Sequence, residues 1–228
     1  MAKIVDLTKK WGYNTVFDNF SLEIEDKKVT AVLGKSGVGK TTLLSAVAGL
    51  IDYEGKIEGF GRISYVFQEH RLIPFMTVRE NLEYVLTDSV KDKNAVNELI
   101  DGVLKITKLT SLENKIVDKL SGGEKQRVSL ARAFCYPADT VLMDEPFNSL
   151  DVGLKKSIMI DFKNLIEAFG RTCIFVTHSV DEALFLSDFV VYLDRNRAVE
   201  LPPVCKDRSF GFEADDALRK KLYSLLFD

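Results

Sequence analysis

Apolar residues in this chain follow two rhythms, and their alternation predicts the architecture. Val29–Leu33 (VTAVL) is an unbroken apolar run, the pattern of a strand buried on both faces. Arg62–Phe67 (RISYVF), Thr140–Met143 (TVLM), Thr172–Val176 (TCIFV) and Phe189–Leu193 (FVVYL) supply further strands. Phe17–Ile24 (FDNFSLEI) alternates apolar and polar residues instead, which suits a sheet with one wet face. Helical stretches lie between. Lys40–Gly49 has helix-compatible residues and ends at a glycine. Leu154, Ile158, Phe162, Leu165, Ile166 and Phe169 recur at helical spacing and stop at Gly170, a C-terminal cap. Thr77 with Glu80, and Ser179 with Glu182, have the spacing of capping boxes at two helix starts. Strands alternating with helices predict an α/β fold.

Between Glu69 and Lys119 the strand pattern vanishes, and Val96, Leu99, Ile100, Val103 and Leu104 share one helical face. The expectation is a single domain over 1–228. Residues 1–68 and 120–200 form its α/β core, 69–119 an inserted helical subdomain, and 201–228 a short helical tail. In that tail, Pro202 and Pro203 precede Ala214, Leu218, Leu222 and Leu225 at helical spacing.

Composition narrows the classes. The 228 residues are 46% hydrophobic and 29% charged with a net charge of −3, ordinary for a globular protein and unlike a nucleic-acid binder. No apolar run is long enough to cross a bilayer, and the N-terminal MAKIVDLTKKWGY lacks the apolar segment of a secretory signal. Cys135, Cys173 and Cys205 are widely spaced and read as reduced thiols of a cytosolic protein.

GKSGVGKT (Gly34–Thr41) follows a strand and opens a helix, the context of a phosphate-binding loop. Gly34, Gly37 and Gly39 free the backbone to wrap around oxygens, while Lys35, Ser36 and Val38 contribute amides at a helix N-terminus. Lys40 is placed for the β- and γ-phosphates, Thr41 for Mg²⁺ and Thr42 for the α-phosphate region. TVLMDEP sets Asp144 and Glu145 where a buried strand leaves the sheet, the usual place for ligands in open α/β folds. Asp144 suits Mg²⁺, and Glu145 suits polarisation of an attacking water. Alone, two such carboxylates would read as a solvated loop start; the phosphate loop changes that.

LSGGEKQR (Leu120–Arg127) lies between these two motifs. Taken with them, it resembles the signature of the ATP-binding cassette (ABC) ATPases, the motor subunits of ABC transporters. That resemblance runs from about Trp11 to His178, and implies a P-loop NTPase core with a small antiparallel β-subdomain and an inserted helical subdomain. It also implies a head-to-tail dimer, homodimeric in type, in which Ser121, Gly122 and Gly123 of one copy cover the γ-phosphate held by Lys40 of the other. Physically, SGG at a helix start is an anion nest. Asp151 in NSLD would line the interface, or cap the helix that follows. By the same resemblance, Gln68 touches Mg²⁺ and water, and His178 contacts the γ-phosphate and orients Glu145; a lone glutamine at a strand end would otherwise read as structural. Trp11, in KKWG, is the expected adenine platform and Tyr13 the runner-up; otherwise Trp11 is a half-buried surface tryptophan. His70 has no expected catalytic role.

Glu69–Leu82 (EHRLIPFMTVRENL) is similar to the corresponding segment of bacterial solute-importer ATPases, nearest the nitrate, sulfonate and taurine type. There it contributes a groove for a cytoplasmic helix of the membrane subunit, although Leu72, Ile73, Phe75 and Met76 could equally be subdomain core. The resemblance therefore implies ATP and Mg²⁺ as ligands, a separate transmembrane permease and, indirectly, a substrate-binding protein as partners, no nucleic acid, and a peripheral position on the cytoplasmic face of the membrane. An ATPase of a lipid or lipoprotein extrusion system is the alternative. Ile51–Ser64 is shorter than usual for the family, so a trimmed β-subdomain is expected, and DRNRAVELPPV lacks a common turn glycine.

Overall fold

The computed structural model describes all residues except 87–91, 149, 195–196, 202–203, 205–215 and 228, and the side chains of 216 and 227. Pro202, Pro203, Cys205 and Ala214 lie outside the described residues.

A six-stranded sheet forms the centre. Its members are β3 (Val29–Leu33), β5 (Ile63–Val66), β6 (Thr140–Asp144), β7 (Thr172–Thr177), β8 (Phe189–Asp194) and β9 (Arg197–Glu200). They lie in the order β5-β6-β7-β3-β8-β9. All pairs are parallel except β8–β9. Every residue of β3, β6 and β7 is buried, so their continuous apolar runs reflect cover on both faces. Each such Val, Leu or Ile side chain contributes about 1.5–3 kcal/mol. Leu33 is level with Thr177, and Asp144 with Val176. That register brings Gly34, Asp144, Glu145 and His178 to one edge, outside the carboxyl ends of three adjacent strands.

A smaller antiparallel sheet, ordered β2-β1-β4, joins β1 (Ala2–Trp11), β2 (Asn14–Ile24) and β4 (Glu54–Glu58). The expected small β-subdomain is thus a three-stranded sheet. Its strand β1 escapes the alternation rule because its register with β2 shifts three times. Asp6 there has φ of 53°, and each irregularity resets which side chains face inward.

The helices are α1 (Lys40–Val47), α2 (Val78–Tyr84), α3 (Lys93–Ile106), α4 (Gly122–Cys135), α5 (Val152–Phe169), α6 (Val180–Leu186) and α7 (Asp216–Phe227). On α3, Ile100, Val103 and Leu104 are buried, with Val96 and Leu99 packed against the same core. Thr77 and Glu80 form the expected capping box. The Ser179 box is only half made. The Ser179 hydroxyl accepts from the Glu182 amide at 3.4 Å, but the Glu182 carboxylate accepts from Thr177 Oγ1 at 2.6 Å and Lys155 Nζ at 2.8 Å. A buried carboxylate gains more from a cation than from an amide that can be satisfied elsewhere; the Ser179 amide donates to Thr177 Oγ1 at 3.0 Å. Gly170 caps α5 at φ of 57°. In the tail, Leu218 and Leu222 are buried, and the Tyr192 hydroxyl donates to the Leu225 carbonyl.

Candidate functional site

The loop Gly34–Gly39 joins β3 to α1 at the sheet edge. Its glycines differ in purpose. Gly37 and Gly39 have φ of 78° and 108°, conformations costly for other residues. A Cβ on Gly39 would stand 2.6 Å from Val16 Cγ1 and 3.1 Å from Phe17 Cζ, so the small sheet presses directly on the loop. At Gly34 a Cβ would meet the Leu193 carbonyl at 2.7 Å. Lys35, Ser36 and Gly37 are exposed, Val38 and Thr42 half-buried.

Lys40 is 7% exposed. Its ammonium donates to the carbonyls of Gly34 at 2.8 Å and Lys35 at 3.0 Å. Burial lowers its pKa, and the carboxylates of Glu145 and Asp144 oppose that shift. Thr41 Oγ1 donates to Asp144 Oδ1 at 3.2 Å. Burial raises the Asp144 pKa; Thr41 lowers it and the Glu145 charge adds to the rise. A buried carboxylate and a hydroxyl side by side suit a hard metal ion that keeps water or phosphate oxygens as its other ligands.

Glu145 sits one residue past β6 with φ of 46°, a left-handed conformation that costs a residue with a Cβ about 1–3 kcal/mol. The Glu145 amide donates to the Val176 carbonyl at 3.1 Å. Its carboxylate accepts from Asn148 Nδ2 and lies 3.5 Å from His178 Nδ1. His178 is exposed, just after β7. Gln68 is exposed two residues beyond β5. Thus Lys40, Thr41, Asp144, Glu145 and His178 are brought together.

Ser121, Gly122, Gly123 and Asp151 form a second place. Ser121 caps α4, accepting from the Glu124 amide at 3.3 Å, and the Glu124 carboxylate returns to the Ser121 amide at 2.7 Å. That hydrogen bond lowers the Glu124 pKa, with burial opposing it. The box serves the third helical amide and not those of Gly122 and Gly123, the first two. Among the described residues a Cβ on Gly122 would meet nothing within 4 Å, whereas a Cβ on Gly123 would stand 2.2 Å from Leu154 Cδ2. Gly123 is therefore small because α5 lies against it. Asp151 caps α5, accepting from the Leu154 amide at 3.0 Å, so the capping role is filled.

Three further groups were not singled out by sequence. Gln126 Nε2 donates to the Pro146 carbonyl at 2.5 Å, tying α4 to the segment after Glu145. Ser129 Oγ and Arg132 Nη2 each approach the His70 carbonyl at 3.4 Å. Asp161 is fully buried; Arg127 Nε donates to it at 3.0 Å, and Lys108 Nζ lies 2.8 Å from its other oxygen, off the line of a hydrogen bond. Arg127 also donates to Ser157 at 2.9 Å. A polar residue at a buried helical position was the available signal for Gln126 and Asp161.

Trp11 ends β1, 51% exposed, and Tyr13 is fully exposed. Phe75 and Tyr84 in the helical block are also exposed, at 75% and 60%.

The sequence pattern of the ABC transporter family matches residues 17–148. "Fe(3+) ions import ATP-binding protein FbpC 1" of Pectobacterium atrosepticum is 37% identical over 212 residues, covering 88% of this chain and 60% of that protein. "Spermidine/putrescine import ATP-binding protein PotA" of Clostridioides difficile is 34% identical over 213 residues, covering 88% and 61%. The chain thus spans about 60% of the length of these relatives. A dimeric post-hydrolysis structure of the ATP-binding cassette MJ0796 bound to ADP and Pi superposes with a TM-score of 0.76 at 28% identity, covering 89% of this chain and 99% of that one. For cbiO1 of Clostridium perfringens the TM-score is 0.79 at 24% identity, over 89% and 88%; that likeness concerns the fold.

Proposed function

The chain belongs to the ABC transporter family, and on that footing we propose that it binds and hydrolyses ATP to energise solute import through a separate membrane permease. The observation that carries this is the meeting of α1 and β6: Thr41 stands 3.2 Å from Asp144, with Glu145 and His178 3.5 Å apart beside them. Amides of Gly34–Gly39 and the start of α1 cradle the phosphates. Lys40 exchanges its two carbonyl partners for phosphate oxygens, a trade that favours a desolvated ammonium. Thr42 supports the α-phosphate. Thr41, Asp144 and Gln68 would hold Mg²⁺, whose charge offsets that of the triphosphate when bound. Glu145 polarises the attacking water, held by His178, which also reaches the γ-phosphate. Trp11 stacks on the base.

One copy carries two anion-binding helix starts, α1 and α4. The second is used in trans: Ser121, Gly122 and Gly123 close over the nucleotide of another copy, with Asp151 at the seam. Hydrolysis then releases the pair. Residues 69–119 act as a helical subdomain on the core formed by 1–68 and 120–200, and the exposed Phe75 and Tyr84 offer an apolar surface to a permease helix. Among the described residues no helix is long and apolar enough to cross a membrane; the proposed place, peripheral at the cytoplasmic face, is reached through the permease. Iron and polyamines belong to the relatives' names; the residues discussed here touch nucleotide rather than solute.

Glu145→Gln tests the proposal. Turnover should fall roughly 10²–10⁴-fold, and an ATP-dependent dimer should persist in gel filtration. ATP-bound Glu145→Gln protein running as a monomer would contradict the trans site.

A further inference from the structure

Lys9 and Trp11 lie two apart on β1, and the Lys9 ammonium makes two contacts. Its ammonium donates to the Asp52 carbonyl at 2.6 Å and stands 4.4 Å from the centroid of the Trp11 ring. Asp52 follows the C-terminal end of α1, whereas the phosphate loop is at the N-terminal end. The cation therefore stands over the indole of its own strand while tethered to the segment that follows α1. It is held there by a backbone oxygen, not left to swing in solvent.

An indole has two faces, and the ammonium covers one. Exposed aromatic rings at strand ends rotate among rotamers, so a platform for stacking loses part of its gain to ordering. A tethered cation on one face removes that freedom beforehand. It also draws electron density from the ring, which favours an electron-rich purine against the opposite face.

We infer that Lys9 is a positioning residue for the nucleotide base, clamping Trp11 from one side so that the base stacks on the other. This rests on Trp11 being the base platform, and the experiment separates the two.

Affinities of ATP and of inorganic tripolyphosphate, which has no base, are measured by calorimetry on the full chain and on Lys9→Met, Lys9→Arg, Trp11→Ala and the Lys9→Met/Trp11→Ala double variant. Lys9→Met should weaken ATP about two- to fivefold, the range of a surface cation–π contact, and leave tripolyphosphate unchanged. Lys9→Arg should restore the parent affinity for ATP. In the Trp11→Ala background, Lys9→Met should have no further effect. If Trp11→Ala weakens ATP but Lys9→Met leaves it unchanged, or tightens it, the clamp is refuted while the platform stands. Equal weakening of ATP and tripolyphosphate by Lys9→Met also refutes the clamp, reducing Lys9 to a general attraction for anions. If Trp11→Ala leaves ATP affinity intact, the platform fails and the clamp with it.

Discussion

Replacing Gly123 by alanine puts a methyl group 2.2 Å from Leu154 Cδ2, 3.0 Å from Cγ and 3.1 Å from Cδ1. Cδ2 is too close to stay and Cγ and Cδ1 are tight, so the Leu154 side chain or the helix must shift. Overpacking of this kind costs about 1–3 kcal/mol. Alanine returns up to about 1 kcal/mol of helix propensity, and Leu154 is only half-buried, which favours the low end of the cost. The net expectation is about 1 kcal/mol of destabilisation, or about 2–4 °C in Tm for a chain this size. Gly122→Ala is the control, since among the described residues nothing lies within 4 Å of the added Cβ; it should be neutral or slightly stabilising. The decisive assay is a double-mutant cycle by urea unfolding of the nucleotide-free protein. In a Leu154→Ala background, Gly123→Ala should lose its penalty and show only the propensity gain, a coupling of about 1–2 kcal/mol. If Gly123→Ala behaves like Gly122→Ala in both backgrounds, α4 and α5 do not touch as described, and the glycine has another cause.

Burial raises the Asp144 pKa, so the folded state holds a proton more tightly than the unfolded one. Its ionised form then costs stability above that raised value, and the cost fades as pH falls towards the ordinary carboxylate range; Asp144→Asn should raise the Tm of the nucleotide-free protein at neutral pH, gain little near pH 4, and abolish metal-dependent hydrolysis. Asp161→Asn should cost about 3 kcal/mol in urea unfolding, the low end for a broken buried pair, because Lys108 can turn to solvent; the loss should persist at high salt. The Cys135 and Cys173 thiols are both pushed up to about 12 by burial, so neither should react with a disulfide reagent at pH 8 until the chain is unfolded.

Much of the site was legible because chemistry and pattern coincide there. A buried strand must end in a loop at the sheet edge, so VTAVL followed by GKSGVGKT, and TVLM followed by DEP, announce where the two loops meet; the roles they suggest belong to the proposal. The register that makes Leu33 level with Thr177 is not written in any one segment, yet parallel neighbours of similar length leave little choice. What escaped reading depends on contacts distant in sequence. Strand β1 was hidden by its bulges. Gln126, Arg127 and Asp161 look like ordinary polar helix residues until α4 and α5 are laid together. The Ser179 box was read by spacing, but Thr177 and Lys155 compete for Glu182, and spacing says nothing of competitors. Gly123 was read as a phosphate donor; the close approach of Leu154 gives its smallness a second and sufficient cause.

Gly39 has a consequence for scale. Val16 and Phe17 press on it from the sheet that carries Trp11, while the loop it belongs to leads into Lys40 at the start of α1. One hydrogen atom in place of a side chain thus sets the gauge between that sheet and the loop. If, as proposed, the base lies on Trp11 and the phosphates at Lys40, widening it by a methyl would let a nucleotide held at one end slip from the other; the chain keeps its ruler by leaving that position bare.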